Sequence, residues 1–232
     1  MAAYGRGAAA LFARNEVGLA LLIGVLVVVF GQVNPGFLST FNLFSLSRVM
    51  GIDMVIGLSM MVVLVTGGLN RAVGSIGGAS VRLGGWAMQT QGWPVLPAVA
   101  LALALGGFLG WLNGQLTMRI GVHSFIVTLA TMSIFFGAMI VLTKAEAFNA
   151  LPREFVDLGR LRYAGWVSGM LPLALLAGLG LWLFYRGTSL GREIVAVGAN
   201  PPAAELSGVN VGRAIVVAHA MSGALAAFGG LM

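Results

Sequence analysis

An all-α, polytopic membrane bundle of about seven spanning helices is the fold class this sequence predicts. Three observations carry that reading. Hydrophobic residues fill 59% of the 232 positions and charged residues only 9%, whereas a soluble domain uses about 25% charged residues to cover its surface. Apolar stretches recur at close to the ~20 residues a helix needs to cross hydrocarbon. Period-2 alternation, the mark of a membrane-spanning β-strand, is missing.

The segments follow in order at 17–33, 43–66, 72–90, 95–118, 124–143, 168–185 and 211–231. The first follows Arg6 and Arg14 and lacks a small-x-small cleavage signal, so it is read as a signal anchor and not a removable leader. Asn34-Pro35-Gly36 ends it. The second closes on the glycine-rich stretch VTGGLNRAVGSIGGAS, Val65 to Ser80, which leads into the third. Gly92-Trp93-Pro94 reverses the chain into the fourth, and Gly121 breaks it before the fifth. A mixed-charge loop, 144–167, precedes the sixth segment, which is short and interrupted by Pro172.

Orientation follows from the basic residues of the short loops. With the N-terminus inside, one side collects Arg6, Arg14, Arg71, Arg119, Arg186, Arg192 and Arg213. The other holds two uncharged loops and 144–167, where Lys144, Arg153, Arg160 and Arg162 are offset by Glu146, Glu154 and Asp157. Segment 186–210 is then cytoplasmic. The net charge of +6 reflects this topology. Its basic residues are scattered singly, without the clustered basic and aromatic pattern of a nucleic-acid surface.

Small residues at four-residue spacing mark close helix contacts: Gly106, Gly110 and Gly114; Gly74 and Gly78; and Ser222, Ala226 and Gly230. Ionisable residues inside apolar segments are costly and face protein or water. Arg48 lies near an outer end, where it can snorkel to the interface. Asp53 and Arg82 fall at similar depth on consecutive antiparallel segments, which predicts an Asp53–Arg82 ion pair. Such a pair serves structure or a solute path equally well. His123 and His219 stand alone, and cysteine is absent, so no metal site is expected.

The stretch Val65–Ser80 is not a phosphate loop. That motif needs G-x-x-x-x-G-K-[ST]; here Gly68 to Gly74 is one residue too long and Ser75 follows without a lysine. No nucleophile elbow, HExxH or spaced carboxylate pair suggests a catalytic residue. Polar residues in few places point to passage or scaffolding. A secondary transporter would want several intramembrane carboxylates, and Asp53 stands alone.

The least lipid-like segment is LGREIVAVGANPPAAELSGVNVGR, Leu190 to Arg213. It predicts a short helix over 191–197, a turn at Gly198-Ala199-Asn200-Pro201-Pro202, and a second short helix ended by Ser207-Gly208, with proline in its first turn. Ala203, Ala204 and Leu206 give that helix a small apolar face. A capped connector and a helix that docks in a partner's groove fit equally well.

The order G-R-x-x-x-A-x-G-x-N-x-x-A-A-x-x-S-G-[IV], met by Gly191 to Val209, resembles the coupling segment of ATP-binding-cassette permeases of the ribose/xylose sugar type, related to the branched-chain amino acid permeases. Thr66-Gly67-Gly68-Leu69-Asn70-Arg71-Ala72-Val73-Gly74-Ser75 is similar to the family's T-G-G-I-D-L-S-V-G-S. Further likeness lies in Asn42-Leu43 with Arg48, in Gly114 with Gly121, and in Ser124 to Leu129.

The resemblance implies an inner-membrane permease subunit with its N-terminus in the cytoplasm, forming the path for a small polar solute, a monosaccharide by preference. Residues 1–232 would form one permease domain, with 186–210 as its cytoplasmic coupling segment. Its implied partners are cytoplasmic ATPase subunits, a second permease subunit, a periplasmic solute-binding protein and the bilayer, with no nucleic acid. This chain would hold no cofactor, ATP being used by the partner. The coupling residues implied are Gly191, Arg192, Gly198, Asn200, Ala203, Ala204, Ser207 and Gly208. Path or gate residues would be Asp53, Gly67, Gly68, Asn70, Arg71, Ser75 and Arg82. Two departures stand out. Asp-Leu-Ser of the family motif is Asn70-Arg71-Ala72 here, and the chain stops at Met232 where family members continue. It is therefore read as incomplete at its C-terminus, with a non-transporting fragment as the alternative.

Overall fold

The computed structural model describes residues 15–146 and 148–232. Ten helices and one two-residue hairpin follow in the order α1 (Asn15–Val33), α2 (Thr40–Leu64), α3 (Val73–Gln89), α4 (Val95–Ile120), α5 (Ser124–Thr143), α6 (Arg153–Arg160), β1 (Arg162–Tyr163), β2 (Val167–Ser168), α7 (Met170–Gly187), α8 (Ser189–Ala199), α9 (Pro201–Leu206) and α10 (Val211–Leu231). The strands pair antiparallel, Arg162 opposite Ser168.

The helical bundle matches the expected class; the expected count of about seven spans is not confirmed among the described residues. Among the described residues five helices, α2, α4, α5, α7 and α10, are long and apolar enough to cross a membrane. The apolar run Val17–Val33 falls short, as does α3 with 17 residues. α3 still connects the two ends of the bundle. The loop before it bonds to the start of α5 through the Leu69 N–H and Ser124 Oγ. From the middle of α3, Arg82 bonds to Thr143, the last residue of α5. Pro172 does not break α7. It sits in the first turn, where its missing N–H has no intrahelical partner to lose.

α10 is the central helix, packed against α4, α2 and α3. Its contact with α4 is backbone on backbone. A Cβ on Gly110 would run into the His219 carbonyl, and one on Gly223 into the Gly106 carbonyl. The expected Gly106–Gly110–Gly114 ladder is therefore the face that meets α10, antiparallel to it. On its next side α10 runs parallel to α3, where a Cβ on Gly77 would lie 2.9 Å from the Ala226 carbonyl. This corrects the expected Gly74–Gly78 pair. Gly74 is exposed with nothing near it, and Gly78 meets only Met139, because the face turned to α10 carries Gly77. In hydrocarbon there is no hydrophobic drive between helices, so such close approach and its dispersion contacts hold the bundle together.

The Asp53–Arg82 pair is not formed. α10 stands between α2 and α3, which barely touch. Asp53 lies on an exposed face of α2, and Arg82 instead donates to Thr143 Oγ1 at 2.9 Å and to the Glu146 carbonyl at 2.8 Å. Arg82 is thus level with the end of α5 and not at mid-bundle.

Two substitutions separate these glycine roles. Gly223→Val should destabilise the purified chain by about 3 kcal/mol or more, since overpacking a full contact strains both backbones. Gly74→Ala should leave stability unchanged or raise it by up to about 1 kcal/mol through helix propensity. Thermal unfolding in detergent reads both.

Candidate functional site

The stretch between α2 and α3 is not an open connector. Gly67 takes φ +82, a conformation glycine adopts without strain, and Thr66 Oγ1 donates to the Val63 carbonyl at 2.7 Å. Beyond that turn the chain is held by side chains of two other helices. Ser124 Oγ, at the start of α5, accepts from the Leu69 N–H at 2.9 Å. One turn on, Thr128 Oγ1 accepts from the Arg71 N–H at 3.0 Å. Gly68 is needed there, because a Cβ would sit 2.6 Å from Ser124 Oγ.

Asn70 completes the clamp. It is fully buried. Its Oδ1 accepts from the Ala72 N–H at 3.0 Å, so it serves the start of α3, where Ala72 offers no side-chain cap. Its Nδ2 donates to Ser222 Oγ on α10 at 2.9 Å. Ser59 Oγ of α2 in turn donates to the Ser222 carbonyl at 2.7 Å. Three helices and the loop thus share one small polar network. Ser75, buried, turns its hydroxyl back to the Ala72 carbonyl at 3.0 Å. Arg71 and Leu69 are the exposed side chains of this stretch.

The 186–210 segment lies at the same end. Thr188 caps α8, its Oγ1 accepting from the Gly191 N–H at 3.0 Å in the ordinary manner of a helix N-cap. Ile194 and Val197 of α8 join a buried cluster with Val62, Leu181, Ala214 and Ala218, so α8 rests on α2, α7 and α10 together. Two glycines let it sit there. A Cβ on Gly191 would collide with the Phe184 carbonyl at the end of α7. A Cβ on Gly198 would collide with the Val65 carbonyl, at the first residue of the clamped loop.

From α8 the chain turns at Asn200, whose Oδ1 accepts from the Ala203 N–H at 3.1 Å, into α9. Gly208, at φ +83, ends it in the left-handed conformation typical of a helix C-terminus. Ala204 is buried beneath α9, whereas Ala203 and Ser207 are exposed. Leu206 is 91% exposed, which makes it the most open large apolar side chain of this end. Arg192 is exposed on α8.

The structure therefore gathers two of the expected groups at one end. Gly67, Gly68, Asn70, Arg71 and Ser75 form or flank the clamped loop, and Gly198 of the coupling set touches it. Asp53 and Arg82 belong elsewhere, on the outer face of α2 and midway along α3, beside the end of α5. The hydroxyls that hold the loop, Ser59, Ser124, Thr128 and Ser222, were not distinguishable as a set beforehand. Ser124 and Thr128 stood out only as part of a motif, and Ser222 only as a small packing residue.

The sequence of residues 40–232 matches the family described as branched-chain amino acid transport system, permease component. The chain belongs to that family. Among curated relatives it is 29% identical to the galactose/methyl galactoside import permease protein of Escherichia coli K12, over 94% of this chain and 70% of that one. It is 31% identical to the ribose import permease protein of the same organism, over 90% and 65%. With the D-allose transport system permease protein of that strain it shares 30%, over 94% and 67%. This chain thus spans about two thirds of the length of the curated relatives it matches. No solved structure matches it. Family membership and the apolar helices make it a multi-pass membrane protein.

The clamp has a measurable energy. Ser222→Ala leaves the buried Asn70 amide without its acceptor and should cost about 1–3 kcal/mol. The double variant Asn70→Ala/Ser222→Ala should cost less than the sum of the two single variants, with a coupling of about 0.5–3 kcal/mol. Denaturation midpoints of the four proteins check this.

Proposed function

We propose that this chain is the permease subunit of an ATP-binding-cassette importer, forming the path for a monosaccharide across a bacterial inner membrane. Its N-terminus and the 186–210 segment face the cytoplasm, in keeping with the seven arginines assigned to that side. Galactose, ribose and allose permeases are among its relatives, which supports a small sugar as the solute. In this reading the chain is not itself an enzyme. ATP is bound and hydrolysed by cytoplasmic partner subunits, a second permease subunit completes the path, and a periplasmic binding protein delivers the sugar.

One observation carries the mechanism: the seating of Gly198 on the Val65 carbonyl. α9 offers Leu206 and Ala203 outward, a small apolar knob suited to a groove on an ATPase subunit. Behind it, α8 is a short rigid strut, braced on α7 at Gly191 and on the loop at Gly198. A displacement of α9 by ATPase closure reaches Val65, and from there the backbone of Leu69 to Arg71. That segment is bonded to α5 through Ser124 and Thr128 and to α10 through Asn70. The same push therefore moves three helices of the bundle relative to one another, which is what opening one side of a path requires.

Leu206→Glu should reduce co-purification with the ATPase subunit at least tenfold while the permease remains folded, because a charge on a buried interface knob is costly. Gly198→Ala should keep the ATPase bound but abolish solute-stimulated ATP hydrolysis in liposomes. Undiminished association of Leu206→Glu would remove α9 from the interface.

A further inference from the structure

At the far end of the bundle, α5 packs on α3 and only lightly on α4. A cavity of about 590 Å³ is left between the three helices. Its deeper wall includes Leu105, Leu109 and Phe135, and its mouth holds Arg82, Lys144 and Glu146. Phe135 lies eight residues before Thr143, the last residue of α5, so at about 1.5 Å per residue the slot reaches roughly 12 Å below its mouth.

The mouth is built with unusual backbone. Lys144 and Ala145 both take positive φ, 50° and 58°, a region that non-glycine residues rarely occupy. Their turn carries the chain from the end of α5 to Glu146, whose carbonyl accepts from Arg82 Nη1 at 2.8 Å. A guanidinium has five N–H donors. Arg82 uses those on Nη1 for Thr143 and Glu146; among the described residues, Nε and Nη2 have no hydrogen-bond acceptor. Two cations against one carboxylate leave the mouth net positive, above a slot whose wall is aliphatic and aromatic.

An apolar slot between helices of a membrane bundle with a cationic rim selects an amphiphile bearing an anionic group. A monosaccharide could use the rim but would leave the deeper wall without a partner. We propose that this slot holds one phospholipid, its phosphate on Arg82 and Lys144 and an acyl chain along Leu105, Leu109 and Phe135. The planar Arg fork suits phosphate oxygens. Placing that lipid in the outer leaflet rests on the orientation proposed above; the site itself does not.

Native mass spectrometry of the chain released from phosphatidylglycerol nanodiscs tests this. The wild type should carry one phospholipid, Arg82→Gln should lower its occupancy about tenfold, and Arg82→Lys should keep most of it. Leu109→Trp, which fills the slot, should displace the lipid, while Leu96→Trp, on the exposed side of α4, should not. Equal lipid retention by the wild type, Arg82→Gln and Leu109→Trp would overturn the proposal. So would displacement of the lipid by millimolar D-ribose, which would assign the slot to solute, or by inorganic phosphate alone, which would reduce it to an anion site. Because the readout involves no ATPase, its failure leaves the permease reading to be judged on α9.

Discussion

Hydrocarbon supplies no hydrogen bonds, so a stretch of chain that leaves the helix inside a membrane bundle must find every partner in the protein. Backbone buried at the end of a bundle meets the same demand, which governs Val65 to Ala72. Its exposed alternative would be an ordinary turn at the surface; instead Asn70 is fully buried. The remedy is a set of short hydroxyl side chains on neighbouring helices, Ser124 and Thr128 on α5 and Ser222 on α10, each placed within 3.0 Å of a loop donor. Helix positions around the loop follow from this. α5 must begin where Leu69 passes, and α10 must bring Ser222 beside Asn70.

The second determinant is how closely α10 can approach its neighbours. Glycines on α4 and α3 let the backbones touch, and α10 in consequence occupies the place between α2 and α3. A bundle with bulkier residues at Gly106 and Gly110 would hold α10 farther out, and Ser222 with it. The polar clamp and the glycine seam are thus one arrangement seen from two sides. Packing sets the distance, and the hydrogen bonds use it.

Much of this was legible in the sequence. The apolar runs located the long helices within a few residues. Proline, asparagine and glycine located α8 and α9, since Asn200 and Gly208 cap as their chemistry requires. The Gly106–Gly114 ladder identified a true contact face. What stayed hidden depended on which helices become neighbours. Depth along consecutive segments paired Asp53 with Arg82, but depth carries no information on the helix that intervenes. The same limit applied to Gly74 and Gly78, whose spacing is right and whose face is not. The role of Ser222 required knowing that α10 passes the loop, which no local pattern encodes. In Asn70-Arg71-Ala72, the departure from the family motif resolves into two parts: Asn70 is a buried anchor, and Arg71 contributes its backbone N–H while its side chain stays outside.

The central claim is that the 65–72 loop is a clamped part of the bundle and the seat on which α8 acts. Hydrogen exchange across Leu69 and Arg71, measured for the resting chain and for the chain docked to a nucleotide-cycling ATPase, tests it most directly. The account predicts slow, helix-like exchange at rest and a clear change in those amides on cycling. Fast exchange in both states would mark the loop as an open connector and would contradict the account.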